Sequence, residues 1–359
     1  GWAPGSRVAI LSKNCAWWIL SDLAIWMAGG VSVPLYPTLT ADSVRQILQH
    51  SESKILFVGK LDGWDSMKSG VDSNIHCISY PLSPPTDFPG WDALVAQQAP
   101  LAENPSRTHG ELATIIYTSG TTGMPKGVMH TFNSIASCAS LASDIYEISS
   151  RDRMLSYLPL SHVAERACIE MIQLYQGFHV YFAESLDTFA HDLQRARPTL
   201  FFAVPRIWSK FQSGVFAKFP EKKLRLLFRV PGLSGYIKKK IRHGLGLDQA
   251  RLSMSGAASI SNSLLGWYKE LGIEIIEVYG MTENFGYSHT TRQGRGRPGY
   301  VGQPNPSVDV KLGEGGEILV RAPTNMVGYY KEPGKTAEAL DSEGFLHTGD
   351  VGAVEADQP

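Results

Sequence analysis

The sequence predicts an α/β protein: two mostly parallel, helix-flanked sheets followed by a small β-rich C-terminal subdomain. Three observations carry that prediction. Between residue 7 and about residue 280, apolar runs of strand length alternate with stretches of helical period. After about residue 290 the alternation stops, and short β-prone runs follow a Gly-, Arg- and Pro-rich segment. The chain has 359 residues, 43% of them hydrophobic and 19% charged, enough to bury a sizeable core in more than one subdomain.

The strands are placed at 7–11, 54–58, 112–117, 199–204 and 274–279, each rich in aliphatic and aromatic residues. Helices are placed between them at 42–50, 133–145, 187–196 and 261–271. Such alternation implies parallel strands with crossover helices on both sheet faces. The most apolar stretch, 16–36, is interrupted by Ser21, Asp22 and a Gly29-Gly30 break, so it is read as a core helix rather than a membrane span. Asn14 is its expected cap, Gly29 its stop, and Trp18, Leu23 and Met27 lie near one face. Residues 81–89 hold four prolines and form a surface loop. Beyond the basic segment 291–306, strands are expected at 308–312 and 317–321 around Gly313-Glu-Gly-Gly316. The division is therefore 1–290 for the α/β core and 291–359 for the β-rich unit.

A formal net charge of −1 gives no general nucleic-acid signal. Cys15, Cys77, Cys138 and Cys168 form no Cys-x-x-Cys pair, which argues against a zinc knuckle and favours a reducing, cytoplasmic setting. Residues 218–243 carry nine Lys or Arg against one Glu, net +8 beside −9 for the rest of the chain. A run of this kind is ordinarily solvated helix; the sharper expectation is peripheral contact with anionic lipid or with polyphosphate. Gly294-Arg-Gly-Arg-Pro-Gly299 matches a dinucleotide fingerprint in letters only, since no strand–helix context surrounds it.

The strongest chemical signal is Tyr117-Thr-Ser-Gly-Thr-Thr-Gly-Met-Pro-Lys-Gly127, which follows a strand. Glycines let a backbone approach a ligand, successive N–H groups make an anion cradle, and hydroxyls and a lysine add donors suited to a polyphosphate. It is not a Walker loop, because Pro125 stands where the second glycine belongs. Val278-Tyr-Gly-Met-Thr-Glu283 follows another strand, Ser255-Gly-Ala-Ala258 a third, and His347-Thr-Gly-Asp350 closes the series. Leu158-Pro-Leu-Ser-His-Val-Ala-Glu-Arg166 and Ala203-Val-Pro-Arg-Ile-Trp-Ser-Lys-Phe211 lie between them.

Taken together these segments resemble the adenylate-forming superfamily (acyl-CoA synthetases, luciferases and peptide-synthetase adenylation domains) over nearly the whole chain. The last two segments are most similar to long-chain fatty acyl-CoA synthetases. The resemblance implies that ATP and Mg²⁺ activate a fatty acid carboxylate as acyl-AMP, which then passes to CoA. A sister reading is an acyl-AMP ligase or peptide-synthetase-type domain that hands the acyl group to a carrier protein. A non-catalytic nucleotide-binding module is the reading from another class. By resemblance Thr118, Ser119, Gly120, Thr121, Thr122 and Gly123 form the phosphate loop with Lys126. Ser255, Gly256, Ala257 and Ala258 line adenine together with Glu277, Val278, Tyr279, Gly280 and Met281. Thr282 meets the α-phosphate, Glu283 and Thr118 hold Mg²⁺, and Asp350 takes the ribose hydroxyls. His162, with Val204 and Pro205, lines the acyl site, and His162, Lys126, Thr282 and Glu283 are the catalytic candidates. The family's catalytic lysine belongs to a C-terminal lid joined shortly after the ribose Asp; the sequence ends nine residues past Asp350. The expectation is a fragment that lacks the lid, binds nucleotide and turns over slowly or not at all.

Overall fold

The computed structural model describes residues 3–102, 105–118, 125–297 and 299–355. It is an α/β architecture with two large sheets, as the alternation predicts. The first sheet has seven strands in the spatial order Gly328–Tyr329, Lys126–Thr131, Leu112–Thr118, Val31–Leu35, Arg7–Leu11, Ile55–Val58 and His76–Ser79. Its five strands from Leu112–Thr118 to His76–Ser79 run parallel, and the other two join antiparallel. The second sheet orders Gln303–Pro304, His289–Thr290, Ile275–Tyr279, Leu252–Gly256 and Leu200–Ala203, with the last three parallel.

The central strand Arg7–Leu11 shows why these runs read as they do. Val8, Ala9, Ile10 and Leu11 are all buried because helices cover both faces, so the strand is continuously apolar rather than alternating. Ala9 and Leu11 face the outer helix Ala41–Ser51, while Val8 and Ile10 face a core shared with the second sheet. That outer helix is capped by the Thr40 hydroxyl, which accepts from the Ser43 N–H, and it buries Val44, Ile47 and Leu48 at helical spacing. The shared core packs Trp18 and Ile135 between Ile116 of one sheet and Phe202, Met254 and Ile276 of the other. A third cluster covers the far face of the second sheet with Phe189, Trp208, Trp267 and Tyr268.

The helix Ala16–Met27 lies where expected, but Asn14 does not cap it: its N-cap is Cys15, with no side-chain hydrogen bond. Asn14 is used elsewhere. Two strands were hidden in longer runs, Val31–Leu35 in the apolar stretch and Lys126–Thr131 after the glycine-rich loop. The β-rich unit is a three-stranded antiparallel sheet, Asp309–Leu312, Glu317–Arg321 and Leu346–Val351. Two pairings cross the 290/291 division: Gln303–Pro304 extends the second sheet, and Gly328–Tyr329 extends the first. No helix among the described residues is long and apolar enough to cross a membrane. All four cysteines are free.

Candidate functional site

The parallel strand Ile275–Tyr279 ends in a turn that admits only one residue type at its first position. A Cβ on Gly280 would lie 2.5 Å from the backbone carbon of Gly286, so the two segments can pass only with glycine there. The turn is closed by the Met281 N–H, which donates to Asn284 Oδ1 at 2.9 Å, and by the Gly286 N–H, which donates to the Met281 carbonyl at 2.9 Å. Thr282 and Glu283 are thereby held at the carboxyl end of a parallel strand, where open α/β sheets place their ligands.

Two strands of the first sheet, Lys126–Thr131 and Gly328–Tyr329, and the segment just ahead of the second reach this turn. His130 is fully buried, and its Nε2–H donates to the Thr282 carbonyl at 2.7 Å, while Nδ1 lies 3.2 Å from the Ser134 hydroxyl. Burial lowers its pKa to about 4, so the ring stays neutral. The Met326 N–H donates to the Glu283 carbonyl at 2.7 Å. The Tyr329 hydroxyl donates to Glu283 Oε1 at 2.8 Å, and the Lys126 ammonium sits 5.1 Å from the centre of the Tyr329 ring. Across the hairpin, Lys126 is paired with Thr118. Three of the four catalytic candidates, Lys126, Thr282 and Glu283, therefore stand together with Thr118. Ser119, Gly120, Thr121, Thr122 and Gly123 lie outside the described residues.

Asp350 comes from the third sheet. Its N–H donates to Thr348 Oγ1, the Thr348 hydroxyl donates to the Ile318 carbonyl at 2.7 Å, and the Gly349 N–H donates to Glu317 Oε1 at 2.9 Å. So placed, Asp350 accepts the Tyr279 hydroxyl at 2.7 Å. Burial, with the Asp350 carboxylate adding, pushes the Tyr279 phenol up to about 12. On the neighbouring strand, Gly256 is paired with Val278 and Ser255 with Glu277, so the Gly256–Ala258 turn leaves the sheet beside Tyr279. A Cβ on Gly256 would meet the Val278 carbonyl at 2.9 Å. Ala257 holds a left-handed φ of 64° and is exposed together with Ala258; strain of this kind in a non-glycine residue is characteristic of ligand-gripping turns. Ser255 differs from its neighbours in this turn: its hydroxyl is buried and has no hydrogen-bond partner among the described residues. Glu277 is half-buried, and burial raises its pKa.

The set suits a nucleotide. A flat ring, small exposed residues, a ribose-competent carboxylate and a lysine stand together where strands of three sheets meet. One carboxylate oxygen of Glu283 takes the Tyr329 hydroxyl, which leaves the other as a hard ligand for a cation. No group of three or more His, Cys, Asp or Glu that could hold a metal occurs among the described residues. An ion at Glu283 would need phosphate oxygens to complete its shell, the usual arrangement for Mg²⁺.

Among the described residues His162 shares no hydrogen bond or ring contact with that cluster. It caps a short helix, Nδ1 accepting from the Ala164 N–H at 3.1 Å, so the proton of the neutral ring is on Nε2. Burial lowers its pKa, and its ring meets Tyr36 edge-on at 6.4 Å. Glu165 and Arg166, adjacent in sequence, serve different networks. Glu165 is buried, with its pKa raised to about 8 by burial, and accepts from the Ser156 hydroxyl, the Tyr157 N–H and Asn14. Arg166 is fully buried, 2.6 Å from Asp22 and 3.5 Å from Glu170.

An apolar cavity of about 660 Å³ opens beyond the second sheet, between the helices Phe189–Ala196, Pro205–Lys218, Glu221–Leu227 and Leu233–Gly244. Tyr157, Phe189, Phe211, Val215 and Ile241 line it, with Lys210, Lys218 and Lys240. His162, Val204 and Pro205 are not among its lining; Val204 and Pro205 instead start the helix whose later turns are. The residues missed from sequence are Tyr329, His130 and this lining. Tyr329 sits in a Gly-Tyr-Tyr segment, Gly328-Tyr-Tyr330, in which nothing local marks a polar tip that reaches another sheet.

A family model described as AMP-binding enzyme matches residues 1–330. Curated relatives include a peroxisomal long chain acyl-CoA synthetase 6 of Arabidopsis thaliana, 31% identical over 97% of this chain, and a human long-chain-fatty-acid–CoA ligase 1, 29% identical over 98%. The chain spans 56% and 57% of their lengths. Among solved structures, the N-terminal domain of FACL13 from Mycobacterium tuberculosis superposes with a TM-score of 0.75 at 25% identity, covering 98% of this chain and 85% of that one. With the strand-end turns converging as such a fold requires, this chain belongs to the AMP-binding enzyme family, among relatives that are fatty-acid–CoA ligases.

Proposed function

We propose that this chain is the nucleotide- and acyl-binding part of a long-chain fatty acid–CoA ligase. A carboxylate oxygen attacks the α-phosphorus of ATP, the bond to the β-phosphate bridge breaks, and pyrophosphate leaves. A CoA thiolate then attacks the acyl carbon and AMP departs. The observation that carries the reading is the meeting of Tyr279, Asp350, Lys126, Thr282 and Glu283, supplied by three sheets, at one set of strand ends. In that arrangement Tyr279 and Asp350 hold the nucleoside. Thr282 and Lys126 offer a hydroxyl and a charge to the phosphates, which is a positioning and electrostatic task. Bound at Glu283 and Thr118, Mg²⁺ would neutralise phosphate charge. The 660 Å³ cavity is the acyl-chain compartment.

The test is calorimetric titration of the chain with ATP and with non-hydrolysable acyl-adenylate analogues. Tyr279→Ala and Asp350→Ala are each expected to weaken ATP binding at least tenfold. A hexadecanoyl analogue should bind more than a hundredfold tighter than an acetyl one, since each buried methylene contributes about 0.8 kcal/mol. Unchanged ATP affinity in both variants, or equal affinity for the two analogues, overturns the corresponding half of the reading.

A further inference from the structure

The outer helix Ala41–Ser51 is seated on the first sheet by Val44, Ile47 and Leu48, yet its last turn ends in a polar contact. His50 Nδ1 lies 2.8 Å from the hydroxyl of Tyr117, which is buried in one cluster with those three residues. The His50 ring also meets Tyr117 and Tyr330 edge-on, at 5.8 Å and 5.7 Å. Burial lowers the pKa of His50, with the Lys331 ammonium adding, and burial raises that of Tyr117, so a neutral imidazole faces a neutral phenol. These contacts tie the helix end to the elements that carry Lys126. Tyr117 is paired with Gly127, next to the Thr118–Lys126 pair of the same hairpin. A Cβ added to Gly127 would lie 3.2 Å from the Tyr117 ring, so the ring crosses the hairpin there. The Tyr330 N–H donates to the Gly127 carbonyl at 2.8 Å, and the Lys331 ammonium donates to the His50 carbonyl at 2.9 Å. Tyr330 follows Tyr329, whose ring and hydroxyl meet Lys126 and Glu283. An apolar contact at this helix end would bury surface without direction. A hydrogen bond instead fixes where the hairpin stands along the helix.

We propose that His50, through its bond to Tyr117, is a positioning residue for the nucleotide's phosphates: it holds Thr118 and Lys126 at the reach from Glu283 that a phosphate chain requires. The proposal rests on the nucleotide reading of the site, and it separates the two ends of the ligand. In that reading Tyr279 and Asp350 hold the nucleoside. They belong to the second and third sheets and, among the described residues, share no hydrogen bond or ring contact with His50 or Tyr117. Consecutive Cα atoms are about 3.8 Å apart, so a shift of Tyr117 passes directly to Thr118. The partners of the adenosine end stay where they are.

The experiment is calorimetric titration of the chain with ATP and with adenosine, beside a urea midpoint for each variant. His50→Phe keeps the ring contacts and loses the bond; it is expected to weaken ATP about tenfold and adenosine less than twofold. Tyr117→Phe removes only the hydroxyl and is expected to do the same. Since each variant removes the same bond, His50→Phe/Tyr117→Phe is expected to lose no more than about threefold beyond either one alone, where independent losses would multiply to about a hundredfold. His50→Asn returns a polar group near the place of Nδ1 and is expected to recover ATP affinity to within about threefold of the parent. Variants that lose ATP and adenosine in equal proportion, or lose neither, overturn the proposal. So does a lowered urea midpoint with an unchanged ratio of the two affinities, which would make His50 a packing residue, and so do multiplying losses in the double variant. A parent that binds neither ligand overturns the nucleotide reading and the proposal with it, whereas a parent that binds both keeps that reading whatever the variants do.

Discussion

Asn14 offers the sharpest test of how the two halves of the molecule are joined. It is 7% exposed and lies just after the first strand, yet its partners are more than 140 residues away. Its Nδ2 donates to Ser156 Oγ at 2.7 Å and to the Leu158 carbonyl at 2.6 Å, with Glu165 Oε1 at 3.3 Å, and its Oδ1 accepts the Leu160 N–H at 3.0 Å. These bonds fix the 158–162 loop that delivers His162. Asn14→Ala leaves the buried Leu160 N–H and the Leu158 carbonyl without those partners, at a cost of about 1–3 kcal/mol for each unsatisfied group. Water entering the space left by the side chain recovers part of that, so the expected loss is about 2–4 kcal/mol, read from the urea midpoint at unchanged slope. Asn14→Asp separates the hydrogen-bond argument from simple loss of bulk. It keeps the acceptor for Leu160 but loses the donor to Leu158 and buries a carboxylate of its own beside Glu165, whose raised pKa of about 8 leaves it mainly neutral at pH 7. It should be at least as unstable as the alanine variant at pH 7 and recover relative to wild type as pH falls toward 5. An alanine variant within about 0.5 kcal/mol of wild type, the range of an ordinary surface substitution, or an aspartate variant that tracks wild type across pH, refutes the reasoning.

Two further predictions concern the turn that holds Thr282 and Glu283. Gly280→Ala places a methyl 2.5 Å from the Gly286 backbone and should weaken ATP binding at least tenfold with a marked fall in melting temperature. Gly286→Ala, whose added methyl has nothing within 4 Å, should cost only the roughly 1–2 kcal/mol of a left-handed alanine; similar effects from both would discount the close approach. His130 and His289 are both held near a pKa of about 4 by burial, against an ordinary value of 6.5. Between those values the unfolded chain binds protons that the folded chain does not, so stability present above pH 6.5 is lost as pH falls toward 4. His130→Gln retains a donor for the Thr282 carbonyl and removes one such proton. Its stability relative to wild type should therefore rise on acidification by up to about 1.4 kcal/mol per pH unit, and parallel curves from urea titrations between pH 6.5 and 4.5 would contradict the assignment.

The sheets were legible because a buried parallel strand leaves a mark that needs no partner to recognise: a short, unbroken apolar run such as Val8–Leu11, set between stretches of helical period. Where two such signals abut, the mark blurs. Val31–Leu35 follows the helix Ala16–Met27 so closely that the two read as one apolar stretch. Asn14 shows a second limit. A polar residue just ahead of a helix is read as its cap because local geometry is all that spacing encodes, whereas its bonding is decided by a loop on another sheet. The cavity shows a third. Phe211, Val215 and Ile241 carry the same apolar stripe that a core-facing helix carries, and periodicity reports which face avoids water, not whether protein or a void lies opposite.

Tyr329 ties these limits to chemistry. Its strand is two residues long, joins the first sheet antiparallel to Lys126–Thr131, and is followed in the chain by the third sheet's last strand. Its ring supports the Lys126 cation, and its hydroxyl occupies one oxygen of Glu283. Each of those partners was found from its own motif, because phosphate and metal chemistry dictates the residue types that must stand there. A tyrosine that sets the relation between a lysine and a carboxylate is dictated only by their separation, which arises when two sheets pack. Residues that touch a ligand can thus be read from their segments, while residues that hold those segments in register become visible only once the fold has brought them together.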